Sequence, residues 1–433
     1  MTLSRSSRDT VIANIVQQGS ALLLLLAIPN LLSVEHFAEV VFVGVVLSFT
    51  RFSDLGLSSV YGREMPRHHT LNEVVEISVW NQTVFWFGVL GGGVAGGIAA
   101  IVMYVRFGSL VDAALVALLP VLIAVTSTYA SMASVRGDFR AYRNNQIGLS
   151  LSRLIAIPFV LMLGLLGWLA AQAVSLVLVA ARLGTTWIPR PAGIDWGIVR
   201  RRLPAALQLA LITLLWTQLL DSGRLLASIH YSPEGIAIYG LLTTGYQSVY
   251  SLVISAYLPV TVKMLGMLGK GDQDATEYVF DVIHRSLPVV FVMAIVAAEL
   301  SPWLLGVMFP KYRIDPAMPR LILYGLTVLP FVATLGSLYI GKHRNIPYLV
   351  ILMVALAATV GLEQLLRPEI GIKAAAVAQL SGTFIFAALL LIVGRYLFVE
   401  AFKGAHRKIR AVILRLAALW AAYLAIKIIS GWL

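Results

Sequence analysis

The chain is 433 residues long, 59% hydrophobic and only 12% charged, with a mean hydropathy of +0.86, a balance that excludes a water-soluble domain. Its net charge of +12 does not signal nucleic acid, because the basic residues lie between apolar runs of bilayer length. There is no cysteine and the seven histidines lack metal-ligand spacing, so disulfides and zinc chemistry drop out and no cofactor is expected.

Apolar segments of roughly 20 residues, the length that crosses about 30 Å of hydrocarbon, recur from end to end. The first, 11–33, follows Arg5 and Arg8 as in a signal peptide but has no small-residue cleavage site, and reads as a retained helix. Spans follow at 38–61, 79–105, 111–133, 146–165, 167–188, 203–227, 234–262, 286–308, 317–340, 346–366, 371–396 and 411–430. No loop between them is long enough for a folded extramembrane domain. The expected fold is therefore all-α, a polytopic transmembrane helix bundle.

Charge sets the orientation. With the N-terminus inside, the cytoplasmic loops hold Arg63, Arg67, Arg136, Arg140, Arg143, Arg190, Arg200, Arg201, Arg202 and the basic residues near 263–285, 342–344 and 395–410. The outer loops hold only Arg106, Lys311, Arg313, Arg320, Arg367 and Lys373, a bias of about three to one towards the cytoplasm. The basic, proline-containing linker 189–202 separates an N-terminal lobe (1–188) from a C-terminal lobe (203–396), six spans each. A basic segment and one additional helix occupy 397–433. The first hairpin of each half turns with similar chemistry, Val34-Glu35-His36-Phe37-Ala38 against Pro233-Glu234-Gly235-Ile236-Ala237. Two six-helix lobes around a central cavity is a plan that transporters use.

Charges within hydrocarbon mark candidate sites. Arg51 and Asp54 in the second span, and Asp221 and Arg224 in the seventh, are each three residues apart and so share a helix face. Each pair either orders the bundle or lines the cavity, with the arginine meeting an anionic substrate and the aspartate serving a coupling cation. Arg153, in the fifth span, has no carboxylate within four residues. It either snorkels to the cytoplasmic surface or points inward, where a guanidinium pairs with two phosphate oxygens at once. Glu299 and Glu363 sit towards outer helix ends and read as interfacial, with a cation-coupling role as the alternative.

The eighth span carries a stripe at helical spacing: Tyr239, Thr243, Tyr246, Gln247 and Tyr250, continued by Tyr257. Rings pack on sugar C–H groups while the amide and hydroxyls bond sugar hydroxyls, so Tyr246, Gln247 and Tyr250 are candidate substrate contacts. Asn14, Gln17, Gln18, Gln208, Thr217 and Gln218 either extend that surface or bond between helices. Gly91, Gly92, Gly93, Gly96 and Gly97 include two G-x-x-x-G spacings, a signal of close helix packing. Gly266–Gly271, GMLGKG, lacks the first glycine and the Ser/Thr of a P-loop, so ATP hydrolysis by this chain is not expected.

Pro29-Asn30-Leu31-Leu32-Ser33-Val34-Glu35-His36-Phe37-Ala38, followed by Asp54-Leu55-Gly56-Leu57 and Arg63-Glu64, resembles the opening of the Wzx-type polysaccharide flippases of the multidrug/oligosaccharidyl-lipid/polysaccharide exporter superfamily. Asp221 with Arg224, then Tyr239 after a short hairpin, resembles the start of the family's second half. Ala38 and Ala237 depart from it, standing where glycine is common. The resemblance implies a two-lobed bundle with a cationic cavity in a bacterial inner membrane. Its substrate would be an undecaprenyl-diphosphate-linked glycan, carried from cytoplasmic to periplasmic leaflet by alternating access for O-antigen or other polysaccharide synthesis. Membrane lipid and polysaccharide assembly proteins would be its partners, and it would not be an enzyme. A multidrug exporter of the same superfamily is the nearest rival, but its cavity would favour unpaired acidic residues, whereas here arginines accompany the buried aspartates. An O-antigen polymerase or ligase would need a sizeable outer loop, and the outer loops here are short.

Overall fold

The computed structural model describes residues 5–50, 52–70, 73–136, 138–183, 193–268 and 272–429. Among these every regular element is helical. In chain order they are α1 (Arg5–Leu31), α2 (Val34–Thr50), α3 (Leu57–Thr70), α4 (Val74–Phe107), α5 (Leu110–Val135), α6 (Phe139–Ser152), α7 (Ala156–Leu183) and α8 (Trp196–Leu220). There follow α9 (Ser222–His230), α10 (Pro233–Leu268), α11 (Asp272–Met308), α12 (Ala317–Tyr324), α13 (Leu329–Gly341), α14 (Asn345–Ile370), α15 (Lys373–Leu397) and α16 (Val399–Ile429). Among the described residues nine helical stretches are long and apolar enough to cross a membrane. One of them, Phe139–Arg182, contains a reversal and so carries both the fifth and the sixth expected spans.

The chain divides into two compact units, Met1–Leu214 with Ser232–Ala237, and Leu215–Tyr231 with Ile238–Leu433. In the first unit, the expected second span is corrected. Helix α2 stops at Thr50 and the chain turns through 52–56 before α3. The reason lies in the Asp54-Leu55-Gly56-Leu57 stretch. Asp54 accepts hydrogen bonds from the backbone N–H of Gly56 (3.0 Å) and Ser58 (2.8 Å), capping α3 as N-terminal carboxylates do. Leu55 and Gly56 both have positive φ, +50° and +81°. A Cβ on Gly56 would lie 2.3 Å from the carbonyl oxygen of Ala206 in α8. Behind this turn Leu57, Tyr61 and Met65 are fully buried with Trp80, Val84 and Ala206, and the Tyr61 hydroxyl donates to Asn81 Oδ1 at 2.6 Å.

The glycines of α4 are contact points. A Cβ on Gly96 would lie 2.1 Å from Ala117 O, one on Gly92 3.0 Å from Pro120 O, and one on Gly91 2.0 Å from Ser53 O, whereas Gly93 and Gly97 face open space. Small residues let backbones approach where no hydrophobic force between helices exists. Gly96→Val is expected to abolish monodisperse protein on size exclusion in detergent. Gly97→Val, one residue on, should elute as the wild type does, and equal behaviour of the two would contradict this packing.

Between α6 and α7 the helix tightens into a 3-10 turn, Arg153–Ile155. The backbone carbonyl of Ser152 accepts from Ser175 Oγ at 2.8 Å. Further along, Gly164 takes φ +58°, ψ −128° and reverses the chain, so that Gly167 rests on the carbonyl of Phe159. That reversal is the boundary between the expected spans 146–165 and 167–188.

In the second unit, α12, a 3-10 turn at Gly325–Val328 and α13 together form the 317–340 segment. Lys373, at the start of α15, bonds Asp315 at 2.7 Å and holds that loop carboxyl below the usual carboxylate range. The final helix, α16, is clamped to α11 at three heights. Lys408 bonds Glu277 (3.2 Å) and Asp281 (3.0 Å), Arg415 bonds the His284 carbonyl (3.0 Å), and Lys427 bonds Glu299 (2.7 Å). Glu299 is a hub that also accepts from Tyr324 and Tyr423 and pairs with Arg320.

Candidate functional site

The candidate site lies where α8 gives way to α9 in the second unit. The break falls on Asp221, with φ −98° and ψ 9°. The helical ladder continues across it, since Asp221 N–H reaches Thr217 O and Leu225 N–H reaches Asp221 O, both at 3.0 Å. The distortion is held from α15. Gln379 donates through Nε2 to Leu220 O at 2.7 Å and accepts from Gly223 N–H at 3.3 Å, so one side-chain amide satisfies backbone groups on both sides. Gly223 makes this possible, because a Cβ there would lie 2.6 Å from Gln379 Oε1 and 2.8 Å from the Tyr239 ring.

The break aims two charged side chains at one another. Arg224 Nη2 donates to Asp221 Oδ2 at 2.9 Å, with side-chain exposures of 15% and 5%. The second carboxylate oxygen, Oδ1, accepts from Gln247 Nε2 of α10. Both oxygens of Asp221 are therefore engaged. The Nε–H of Arg224 is buried with no hydrogen-bond partner, an unmet donor on a cation. Beside Gln247, Tyr246 stacks on Tyr250 with ring centroids 6.3 Å apart, and Trp216 Nε1 donates to the Tyr250 hydroxyl at 3.0 Å. Trp216 also meets Phe386 at 5.4 Å.

The expected α10 stripe thus separates into two parts. Its ends are structural: Tyr239 donates to Ile372 O and Tyr257 to Ser286 Oγ, each at 2.8 Å. Its middle, Tyr246, Gln247 and Tyr250, gathers with Asp221 and Arg224. Arg153 is half-buried in the 3-10 turn of the first unit. Arg51 lies outside the described residues. Asp54 lies in the turn before α3 and both its oxygens cap that helix, which removes the helical-face argument for the pair. Glu363, expected at the interface, is fully buried and lies 3.0 Å from His230. Sequence reasoning missed Trp216, Gln379 and His230. Only Trp216, seven and eight residues before Gly223 and Arg224, carried a local signal.

These features define a multi-pass, all-α membrane protein whose buried polar site combines an ion pair, an amide and aromatic rings. The sequence matches no family model, and no curated protein matches it. Among solved structures the fold is that of MATE transporters of the MOP superfamily. An inward-facing multidrug resistance MATE family transporter of that superfamily matches with a TM-score of 0.63 at 13% identity, over 90% of this chain and 95% of that one. A mutant of the Vibrio cholerae MATE transporter VcmN matches with a TM-score of 0.57 at 14% identity, over 94% and 97%. A MOP superfamily transporter from Pyrococcus furiosus matches with a TM-score of 0.55 at 14% identity, over 91% and 94%.

Proposed function

We propose that this chain is a flippase of the bacterial inner membrane that carries an undecaprenyl-diphosphate-linked oligosaccharide from the cytoplasmic to the periplasmic leaflet by alternating access. The observation that carries this reading is the state of the buried ion pair. Asp221 has both oxygens engaged, by Arg224 and Gln247, while Arg224 keeps a buried, unmet N–H. Such a site offers a diphosphate a donor and offers a cation no open carboxylate. Tyr250 and Gln247 beside it suit a sugar. The motif resemblance of the opening and of the Asp221–Tyr239 stretch supports the same substrate class, and the charge bias of the loops supports a cytoplasmic N-terminus.

The second reading is a multidrug exporter, favoured by the multidrug resistance transporter among the structures that share the fold. The P. furiosus transporter is described as having a binding pocket of reverse polarity that suggests a different function. A cavity served by Arg224 would be a comparable departure in polarity from a cation exporter. Reconstitution separates the two. Vesicles holding the purified chain should move a fluorescent undecaprenyl-diphosphate-linked oligosaccharide between leaflets faster than empty vesicles, and should not accumulate ethidium. Ethidium transport without glycan movement would replace the flippase by the exporter.

A further inference from the structure

The first unit holds a cavity that the proposed function leaves unused. Its volume is about 400 Å³, and it is lined by His68 of α3, Trp80 of α4, and Ile198, Arg201 and Arg202 of α8. Sites for small ligands occupy about 300–1,000 Å³. The frame of the cavity is fixed before any ligand arrives. Asp195 accepts from the backbone N–H of Gly197 (2.8 Å) and Ile198 (3.1 Å), which caps α8, and its own N–H reaches Thr83 Oγ1 of α4 at 3.1 Å. On the other wall the Tyr61 hydroxyl bonds Asn81, the neighbour of Trp80, and so joins α3 to α4. The two arginines therefore stand on a helical turn that is already held in place.

The charges at this cavity do not cancel. Glu64 Oε2 meets Arg202 Nη2 at 3.0 Å, and Glu73 Oε2 holds His68 Nδ1. Arg201 has no hydrogen-bond or ion-pair partner among the described residues, so its five N–H donors are uncommitted. A guanidinium binds two oxygens of a phosphate at once, and one unopposed guanidinium matches the single negative charge of a phosphodiester. The remaining wall is apolar, since Trp80 and Ile198 are buried and the Trp80 ring lies 6.5 Å from that of Tyr61.

The surroundings point to lipid as the source of that phosphate. Val74 and Val75 at the start of α4 and Trp196 at the start of α8 are exposed, on helix ends that the loop charges assign to the cytoplasm. An exposed indole at a helix end suits the headgroup level of a bilayer. Basic pockets between membrane helices on that side accept anionic headgroups.

We propose that this cavity binds the phosphodiester headgroup of an anionic phospholipid of the cytoplasmic leaflet, with Arg201 as the anchoring cation and Arg202 and His68 flanking it. A lipid seated there ties α3, α4 and α8 together. The site needs no transported substrate, and shares with the flippase reading only the orientation that the loop charges give.

Native mass spectrometry of the full chain in detergent, titrated with phosphatidylglycerol or phosphatidylcholine, measures the lipid retained. Wild type should hold one phosphatidylglycerol more tightly than phosphatidylcholine, whose choline brings a further cation towards Arg201. Arg201→Gln should weaken phosphatidylglycerol binding about tenfold or more, the effect of losing a charge-assisted pair. Arg200→Gln is the matched control, because it removes the same charge from the preceding residue, which is exposed and does not line the cavity. It should bind as wild type does. Arg201 is exposed too, so both variants should fold, and their melting in the same detergent checks this.

Equal weakening by the two variants would overturn the site in favour of a diffuse basic surface, and so would equal retention of the two lipids. Inorganic phosphate and glycerol 3-phosphate, added at the concentration of the lipid, should not displace it. Displacement by either would overturn the lipid as the source of the phosphate. In nanodiscs, replacing part of the phosphatidylcholine by phosphatidylglycerol should raise the thermal midpoint of wild type and Arg200→Gln but not of Arg201→Gln. Vesicles that move no glycan would defeat the function proposed above and leave these outcomes unchanged.

Discussion

Replacing Asp221 by Ala should sharply reduce the amount of protein in the membrane, and replacing Asp221 and Arg224 together should largely restore it without restoring transport. Asp221 is 3% exposed, and its removal leaves Arg224 and the Gln247 amide facing no acceptor. Breaking a buried pair from one side costs about 3–5 kcal/mol, mostly for the charge left behind. Taking both away removes that charge and leaves a smaller, neutral gap. If Arg224 serves only to order α9, the double variant should then move lipid-linked glycan normally. If its guanidinium holds the diphosphate, the double variant is abundant, export stops, and the lipid-linked intermediate accumulates in the cell. Two measurements per variant, membrane abundance and glycan on the outer leaflet, distinguish the cases. Normal glycan display by the double variant would remove Arg224 from the substrate site.

The other large effect belongs to Gly56. An alanine there meets two independent obstacles. Its φ of +81° is a backbone region that a side chain disfavours by about 1–2 kcal/mol, and its Cβ would sit 2.3 Å from a backbone oxygen of α8 that cannot rotate away. The α2–α3 turn and the middle of α8 must separate to admit it, which opens the core around Leu57 and Tyr61. Gly56→Ala should therefore leave little folded protein. Asp54→Ala loses only a cap, about 1 kcal/mol, and should be recovered in reduced but usable yield. The ranking is checked by extracting both variants in detergent and comparing their melting. A Gly56→Ala protein at least as stable as Asp54→Ala would contradict the close approach.

The sequence read well where a single segment held the information. Hydropathy located the apolar segments, and the three-residue spacing of Asp221 and Arg224 described a real pair because the helical ladder survives the break between α8 and α9. It read poorly where meaning came from far along the chain. The stretch after Thr50 holds Arg51 and Asp54 at a spacing that suits one helix face and so reads as more helix, whereas the two N–H bonds to Asp54 and the positive φ of Leu55 and Gly56 make it a turn. Gln379 supports a break 156 residues earlier in sequence, and nothing in its own neighbourhood marks it for that task. The Tyr231 partner of Glu363 is 132 residues away, and only the folded chain brings them together.

The reversal at Gly164 also constrains motion. The residues that make its tip, Leu161, Met162 and Leu163, are 63%, 80% and 53% exposed, and neither they nor their neighbours from Ala156 to Ala171 carry a charge. Most hairpins in membrane proteins end in polar loops that float at the water's edge. This one ends in three greasy side chains, each worth about 1.5–3 kcal/mol in hydrocarbon relative to water. The tip behaves as a keel. Lifting it into water is the expensive displacement, whereas pivoting about it costs little, so the bilayer itself restricts this part of the first unit to tilting.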